Sequence, residues 1–187
     1  MKLSSALRTA VVLASAASLA TLTGCAATAS PEPAEDLALT SPDLDADGRL
    51  PDWATNSVAG YCTGENRSPD LAWTGAPEGT ESFALAMTDP ANSAYRHWIV
   101  TAIPADATGL ASAEDGAIGV GITGSNWQGP GRYAGVCVDD NPYLYTLYAL
   151  DEPIEGDAST TYGDLLELID GHVLAEATLS AMPADRE

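Results

Sequence analysis

Asp89, His97 and a serine, either Ser93 or Ser125, supply the residue types of a hydrolytic triad. Such a triad needs a base that both orients and deprotonates its nucleophile. Serine is common in the chain, however, and no Gly-x-Ser-x-Gly elbow is present. Hydrolysis therefore has little support. A second candidate, Asp43-Leu44-Asp45-Ala46-Asp47-Gly48, fits the first half of an EF-hand loop. Its twelfth position is Ala54, where a bidentate glutamate is needed, and Pro51 interrupts it. No metal site and no cofactor is expected.

The thiol of Cys25 has clearer chemistry. Leu22-Thr23-Gly24-Cys25 closes an apolar stretch, Ala10 to Leu22, that follows Lys2 and Arg8. The stretch is too short for a stable transmembrane helix but suits the apolar region of an export signal. The box before the cysteine is similar to the bacterial lipoprotein box, in which the thiol is acylated and the chain is cut before it. Residues 1–24 are thus expected to be a lipoprotein signal peptide. Residues 25–38, rich in Ala, Thr, Ser, Pro and acid, are expected to be a lipidated, flexible tether. Its roughly 13 residues reach about 20 Å as a random coil. The folded domain is expected over 39–181 and a disordered tail over 182–187. The implied location is the extracytoplasmic face of the cell membrane, held by lipid.

Removal of residues 1–24 leaves 163 of the 187 residues, enough for one domain with a core. That remainder has no lysine, and its five arginines face 27 acidic residues, a net charge of −22. Such a surface repels nucleic acid and anionic lipid at long range, so no nucleic-acid partner is expected. With Cys25 lipidated, Cys62 and Cys137 remain as a pair that an oxidising compartment would bridge.

Three segments read as strands that could carry such groups: Glu81 to Asp89, His97 to Ile103 and Tyr143 to Asp151. The first is apolar on both faces, as a central strand must be. Residues 104–135, rich in Gly, Asp and Ser, read as loop with one short strand. A helix is expected after Thr161, with Asp164 completing a capping box and Gly171 ending it. Leu165, Leu166, Leu168 and Ile169 would form its buried face. The alternation of Val173, Ala175, Ala177 and Leu179 with their neighbours predicts a last strand, although the composition also allows a second helix.

Taken in order, these segments resemble the phosphatidylethanolamine-binding protein family, in its bacterial, Raf-kinase-inhibitor-like branch. The resemblance rests on Ser41-Pro42-Asp43, on Tyr61 to Trp73 (Tyr-Cys-Thr-Gly-Glu-Asn-Arg-Ser-Pro-Asp-Leu-Ala-Trp) and on Ala76-Pro77-Glu78-Gly79-Thr80. It continues through Asp89-Pro90 with His97-Trp98-Ile99-Val100, Gly135 to Asp151, and Gly171-His172-Val173-Leu174-Ala175. It spans residues 40–180. It implies a mainly β fold: a large central antiparallel sheet, a smaller flanking sheet and a peripheral C-terminal helix. It also implies non-enzymatic binding of a small anionic or phosphorylated ligand in a pocket at one end. Asp89, His97 and Tyr145 stand at pocket positions. Tyr143 takes the place of the family's second histidine and joins the expected ligand set. The prolines of the family's Gly-Pro-Cys-Pro-Pro stretch are replaced in Gly135-Val136-Cys137-Val138-Asp139.

On residue type alone, His97 reads as a core histidine beside Trp98; the resemblance makes it a ligand residue. Asp89, if close, would favour its charged form. Tyr143 brings a hydroxyl but no charge, so weak anion affinity or a changed ligand is expected. Because relatives also bind proteins, the competing expectation is an envelope partner or protease, with a degenerate pocket. Trp53, Trp73 and Trp127 would then be candidate anchors, against their commoner role in cores and pocket walls.

Overall fold

The three long apolar segments become adjacent strands of one sheet. In the computed structural model, which describes residues 36–57, 62–137 and 141–184, the elements are mostly β. They begin with β1 (Ala38–Thr40), a 3-10 turn (Asp52–Ala54), β2 (Arg67–Ser68), β3 (Leu71–Thr74), β4 (Ser82–Thr88) and β5 (Arg96–Pro104). Short strands follow: β6 (Gly109–Leu110), β7 (Ala113–Glu114), β8 (Ile122–Thr123), β9 (Ser125–Asn126) and β10 (Gly129–Pro130). The chain closes with β11 (Tyr143–Leu150), α1 (Tyr162–Leu168) and β12 (Val173–Ala181). Where one short strand was expected between residues 104 and 135, there are five. Two-residue strands carry no periodicity to read; their pairing is decided by partners far away in sequence.

The main sheet has the order β12-β11-β4-β5-β8, antiparallel throughout. β4 lies at its centre and is buried on nearly every residue, as its two-sided apolar pattern requires. A smaller antiparallel sheet, β1-β3-β6, covers one face. Leu39, Leu71, Trp73 and Leu110 from that sheet join Phe83, Leu85, Met87, Trp98, Val100 and Leu147 in one buried cluster. Trp73 and Phe83 bridge the layers, with ring centroids 5.4 Å apart.

The opposite face of the main sheet is covered by α1. Thr161 accepts from the Asp164 amide, and the Asp164 carboxylate accepts from the Thr161 amide, the reciprocal capping box. Leu165 and Ile169 are buried against Ala84, Ala86, Ile99 and Leu150. Leu166 and Leu168, expected beside them, stay exposed. Leu165 and Ile169, four residues apart, share a face, whereas Leu166 and Leu168 each lie one residue from one of them and so turn away from its line. The last segment is a strand, and Ala177 and Ala181 are buried while Glu176, Thr178 and Ser180 are exposed.

Both ends of the described chain pack on the fold. β1 begins at Ala38, and Leu37 before it is buried in the core. At the other end the Met182 amide donates to Gly48, and its carbonyl accepts from Leu50. Pro183 accepts from Arg49 Nη1. The signal, Cys25 and most of the tether lie outside the described residues, as do residues 185–187. Among the described residues no helix is long and apolar enough to cross a membrane.

Candidate functional site

Asp89, His97 and Tyr143 come from the same end of three neighbouring strands. Asp89 is the first residue after β4, His97 is the second residue of β5, and Tyr143 opens β11. β4 lies between the other two, with Thr88 paired to Leu144 on one side and to Arg96 on the other. All three residues are at least nine-tenths buried.

A register slip aims His97. Met87 pairs with Trp98, but Thr88 pairs with Arg96, so His97 is the extra residue of a β-bulge. Bulges break strand alternation and re-aim a side chain. Here the imidazole meets Tyr143 edge to face, with centroids 4.9 Å apart. Its Nδ1 donates to the Ala134 carbonyl at 2.8 Å, while the His97 carbonyl accepts from the Ala134 amide at 2.9 Å. Asn126 Nδ2 donates to that same carbonyl at 2.7 Å. The ring and its backbone are therefore fixed from both sides.

The segment bearing Ala134 is itself pinned. Buried Asn66 donates to Tyr133 O and accepts from Gly135 N, both at 2.8 Å, so it grips the residues on either side of Ala134. Asn66 holds a left-handed conformation at φ 55°, which asparagine tolerates better than most residues. Gly135 passes so close to residues 54–56 that a Cβ there would lie 2.6 Å from the Ala54 carbonyl oxygen. Cys62 and Cys137 form the expected disulfide, with Cα atoms 5.9 Å apart, and it closes the end of the segment. The sequence reading missed Asn66, Tyr133 and Ala134. The asparagine lies inside the Tyr61 to Trp73 match, but nothing local says what it reaches.

Burial lowers the basicity of His97. Asp89 acts in the opposite direction, as do the carbonyls of Ala134 and Gly135, but desolvation is the largest influence. Asp89 thus favours the charged imidazole, as expected, but burial outweighs it and lowers the ring's basicity overall. Its Nε2 is buried and has no hydrogen-bond partner among the described residues. Asp89 Oδ1 accepts from the amides of Ala91 and Asn92, which fixes the carboxylate at the start of its loop.

Tyr145 lies deeper. It is fully buried, and its hydroxyl is 3.4 Å from that of Tyr133, which donates to the Ala54 carbonyl. Burial pushes both phenols far above their ordinary value. Tyr145 thus backs Tyr143 from two residues along the strand, with its hydroxyl already engaged in the core.

The competing chemistries find less. No serine bonds His97 among the described residues, and its Nδ1 is taken by a backbone carbonyl instead of a carboxylate. Asp45 Oδ1 accepts from the amides of Asp47 and Arg49 and braces its own turn, while Asp43 Oδ2 accepts from the Asp70 amide and ties that turn to the start of β3. Among the described residues no group of three or more acidic, histidine or cysteine side chains is placed to hold a metal ion. Of the tryptophans, Trp73 and Trp98 are core, and Trp53 packs against the core with Arg67 over its ring. Trp127 is 42% exposed and meets Tyr95, 43% exposed, edge to face.

Comparison with known proteins agrees with this architecture. The chain is 37% identical over 139 residues to a UPF0098 protein of Methanothermobacter thermautotrophicus, covering 71% of this chain and 88% of that one. It is 32% identical over 160 residues to the UPF0098 protein YbhB of Escherichia coli, covering 77% and 98%. The crystal structure of Escherichia coli YbcL, described as a new member of the mammalian PEBP family, superposes with a TM-score of 0.72 at 27% identity. That match covers 81% of this chain and all of YbcL. The family model for phosphatidylethanolamine-binding protein matches residues 40–183, which take in every strand from β2 to β12 and the whole Asp89–His97–Tyr143 cluster; by that match and by this fold, the chain belongs to the phosphatidylethanolamine-binding protein family.

Proposed function

We propose that this protein is a non-enzymatic binding protein, exported and lipid-anchored through Cys25, which takes a small anionic or phospholipid-headgroup-like ligand at Asp89, His97 and Tyr143, with Tyr145 behind them. The observation that carries this reading is the buried, unpartnered Nε2 of His97 beside an acidic side chain. A buried polar atom left unpaired costs about 1–3 kcal/mol, and a ligand that pairs with it recovers that cost. The family's name supplies the headgroup as the natural first candidate.

The test is a titration of the full chain with inorganic phosphate and phosphoethanolamine, read by tryptophan fluorescence and melting temperature. A ligand at ten times its Kd adds about 1.4 kcal/mol to stability, about 3–5 °C for a domain of this size. No shift at millimolar ligand, or the same shift in His97→Ala, overturns the reading. Palmitate labelling that is lost in Cys25→Ser tests the anchor.

A second reading, an envelope protein-interaction or protease-inhibitor module, is favoured by the exposed Tyr95–Trp127 pair. Exposed aromatics of this kind are common anchors in interfaces. A panel of extracytoplasmic proteases, assayed with wild type and Trp127→Ala, tests it.

A further inference from the structure

His97 Nε2 is closed off from solvent, and Asp89 and Tyr143 at the same end of the sheet are as deeply buried as the ring. A ligand site in that state has to open before anything reaches it, so a segment around it has to move. Most of those segments are tied down. Ala134 is bonded to His97 and sits between two residues that Asn66 grips. Asn126 Nδ2 donates to the carbonyls of His97 and Arg132. Tyr143 begins a strand and pairs with Ala181.

Residues 90–95 differ. They join β4 to β5 at the end that carries Asp89 and His97, and all six are exposed. Among the described residues, every hydrogen bond they make stays within 89–95. Ala91 and Asn92 donate to Asp89, Ala94 donates to the Asn92 side chain, and the Tyr95 amide donates to the Asn92 carbonyl. What fastens this strap to another segment is the ring of Tyr95, which meets Trp127 edge to face at 5.4 Å. Trp127 is a firm post: it follows Asn126, which holds the His97 carbonyl and accepts from the Gln128 amide. Past Tyr95 the chain is secured again, since Arg96 pairs with Thr88 and lies 4.5 Å over the Tyr162 ring.

Resting on the ligand-binding reading above, we propose that residues 90–95 are a strap closing the His97 site, latched by Tyr95 on Trp127, and that release of this latch gives access to Nε2. The strap can swing without breaking a hydrogen bond to the rest of the described chain, so its closure depends on one aromatic contact.

The experiment measures access to His97 directly, on the full chain at fixed pH, with diethyl pyrocarbonate. An imidazole nitrogen attacks this reagent and takes up an ethoxycarbonyl group, while the leaving ethyl carbonate takes the proton and decays to carbon dioxide and ethanol. The chain has two histidines, so half-exposed His172 is an internal reference for His97 in the same mass spectrum. Wild-type His97 is expected to react at least about tenfold more slowly than His172, as a group that reacts only on opening. Tyr95→Ala and Trp127→Ala are each expected to raise the His97 rate about two- to tenfold, the worth of such a ring pair expressed as a population. The double variant should be no faster than the faster single one, because the two rings act as one contact. Tyr95→Phe keeps the ring and should stay at the wild-type rate.

Both rings are exposed, so urea unfolding of these variants should match wild type, which marks the opening as local. His97 reacting as fast as His172 in wild type, a His97 rate unmoved by loss of either ring, or a rise that only follows a loss of global stability overturns the latch. Labelling needs no ligand, so each of these results leaves the binding reading to the phosphate and phosphoethanolamine titration, and failure of that titration leaves the measured latch in place.

Discussion

His97 and Tyr143 meet edge to face, 4.9 Å between ring centroids, although their strands are not neighbours. β5 and β11 flank β4, and the rings meet across its end because one extra residue in β5 re-aims the histidine. Tyr143 is almost fully buried in the main core cluster. Truncation to alanine is expected to cost about 3–5 kcal/mol, as for other large buried aromatics, and to abolish the ligand-induced rise in melting temperature. Tyr143→Phe keeps the ring and is expected to lose much less stability. Urea unfolding of the two variants checks the difference.

The lowered basicity of His97 makes stability depend on pH in a stated direction. Burial holds its folded pKa below the ordinary 6.5, which the unfolded chain retains. Between those two values the unfolded state binds a proton that the native state refuses, so stability falls as pH drops below about 6.5. The slope from this group is at most about 1.4 kcal/mol per pH unit. Stability of wild type and His97→Gln across that window, measured by denaturant, should converge at low pH. Parallel curves would contradict the assignment.

Asn66 acts on the site through Ala134. Its amide makes three side-chain contacts, to Asp115, Tyr133 and Gly135. Asn66→Ala removes all three and leaves alanine at positive φ, an expected loss of about 3–5 kcal/mol. Asn66→Asp keeps the acceptor for Gly135 but sets a carboxylate against the Asp115 carboxylate and the Tyr133 carbonyl. It is expected to lose comparable stability near neutral pH and to regain part of it in acid. Equilibrium unfolding at both pH values separates these outcomes.

The Cys62–Cys137 bridge spans 75 residues of sequence. In the chain-entropy model a loop of that length contributes about 4 kcal/mol, an upper figure. Cys62→Ser with Cys137→Ser should lower stability by up to that amount. It should also speed hydrogen exchange of the Ala134 and Gly135 amides, since the segment that orients His97 loses its end anchor. Exchange monitored by mass spectrometry reads this directly.

Local chemistry made several features legible in the sequence. β4 announced itself by being apolar on both faces, and α1 by the Thr161–Asp164 capping box. The pairing of Cys62 with Cys137 followed from setting Cys25 aside, and Asp89, His97 and Tyr143 were legible through their motif positions. Each of these depends on neighbouring residues or on a count, and both survive without coordinates.

Tertiary structure alone decided the state of the site. The bulge at His97, the grip of Asn66 on residues 133–135 and the engagement of Tyr145 with Tyr133 all join positions distant along the chain. Sequence placed a carboxylate near an imidazole and from that pair expected the charged form to be favoured. Only the fold shows how deeply the ring is buried and that desolvation outweighs the carboxylate. Proximity is written in the order of motifs, whereas the dielectric around a group is set by everything packed against it.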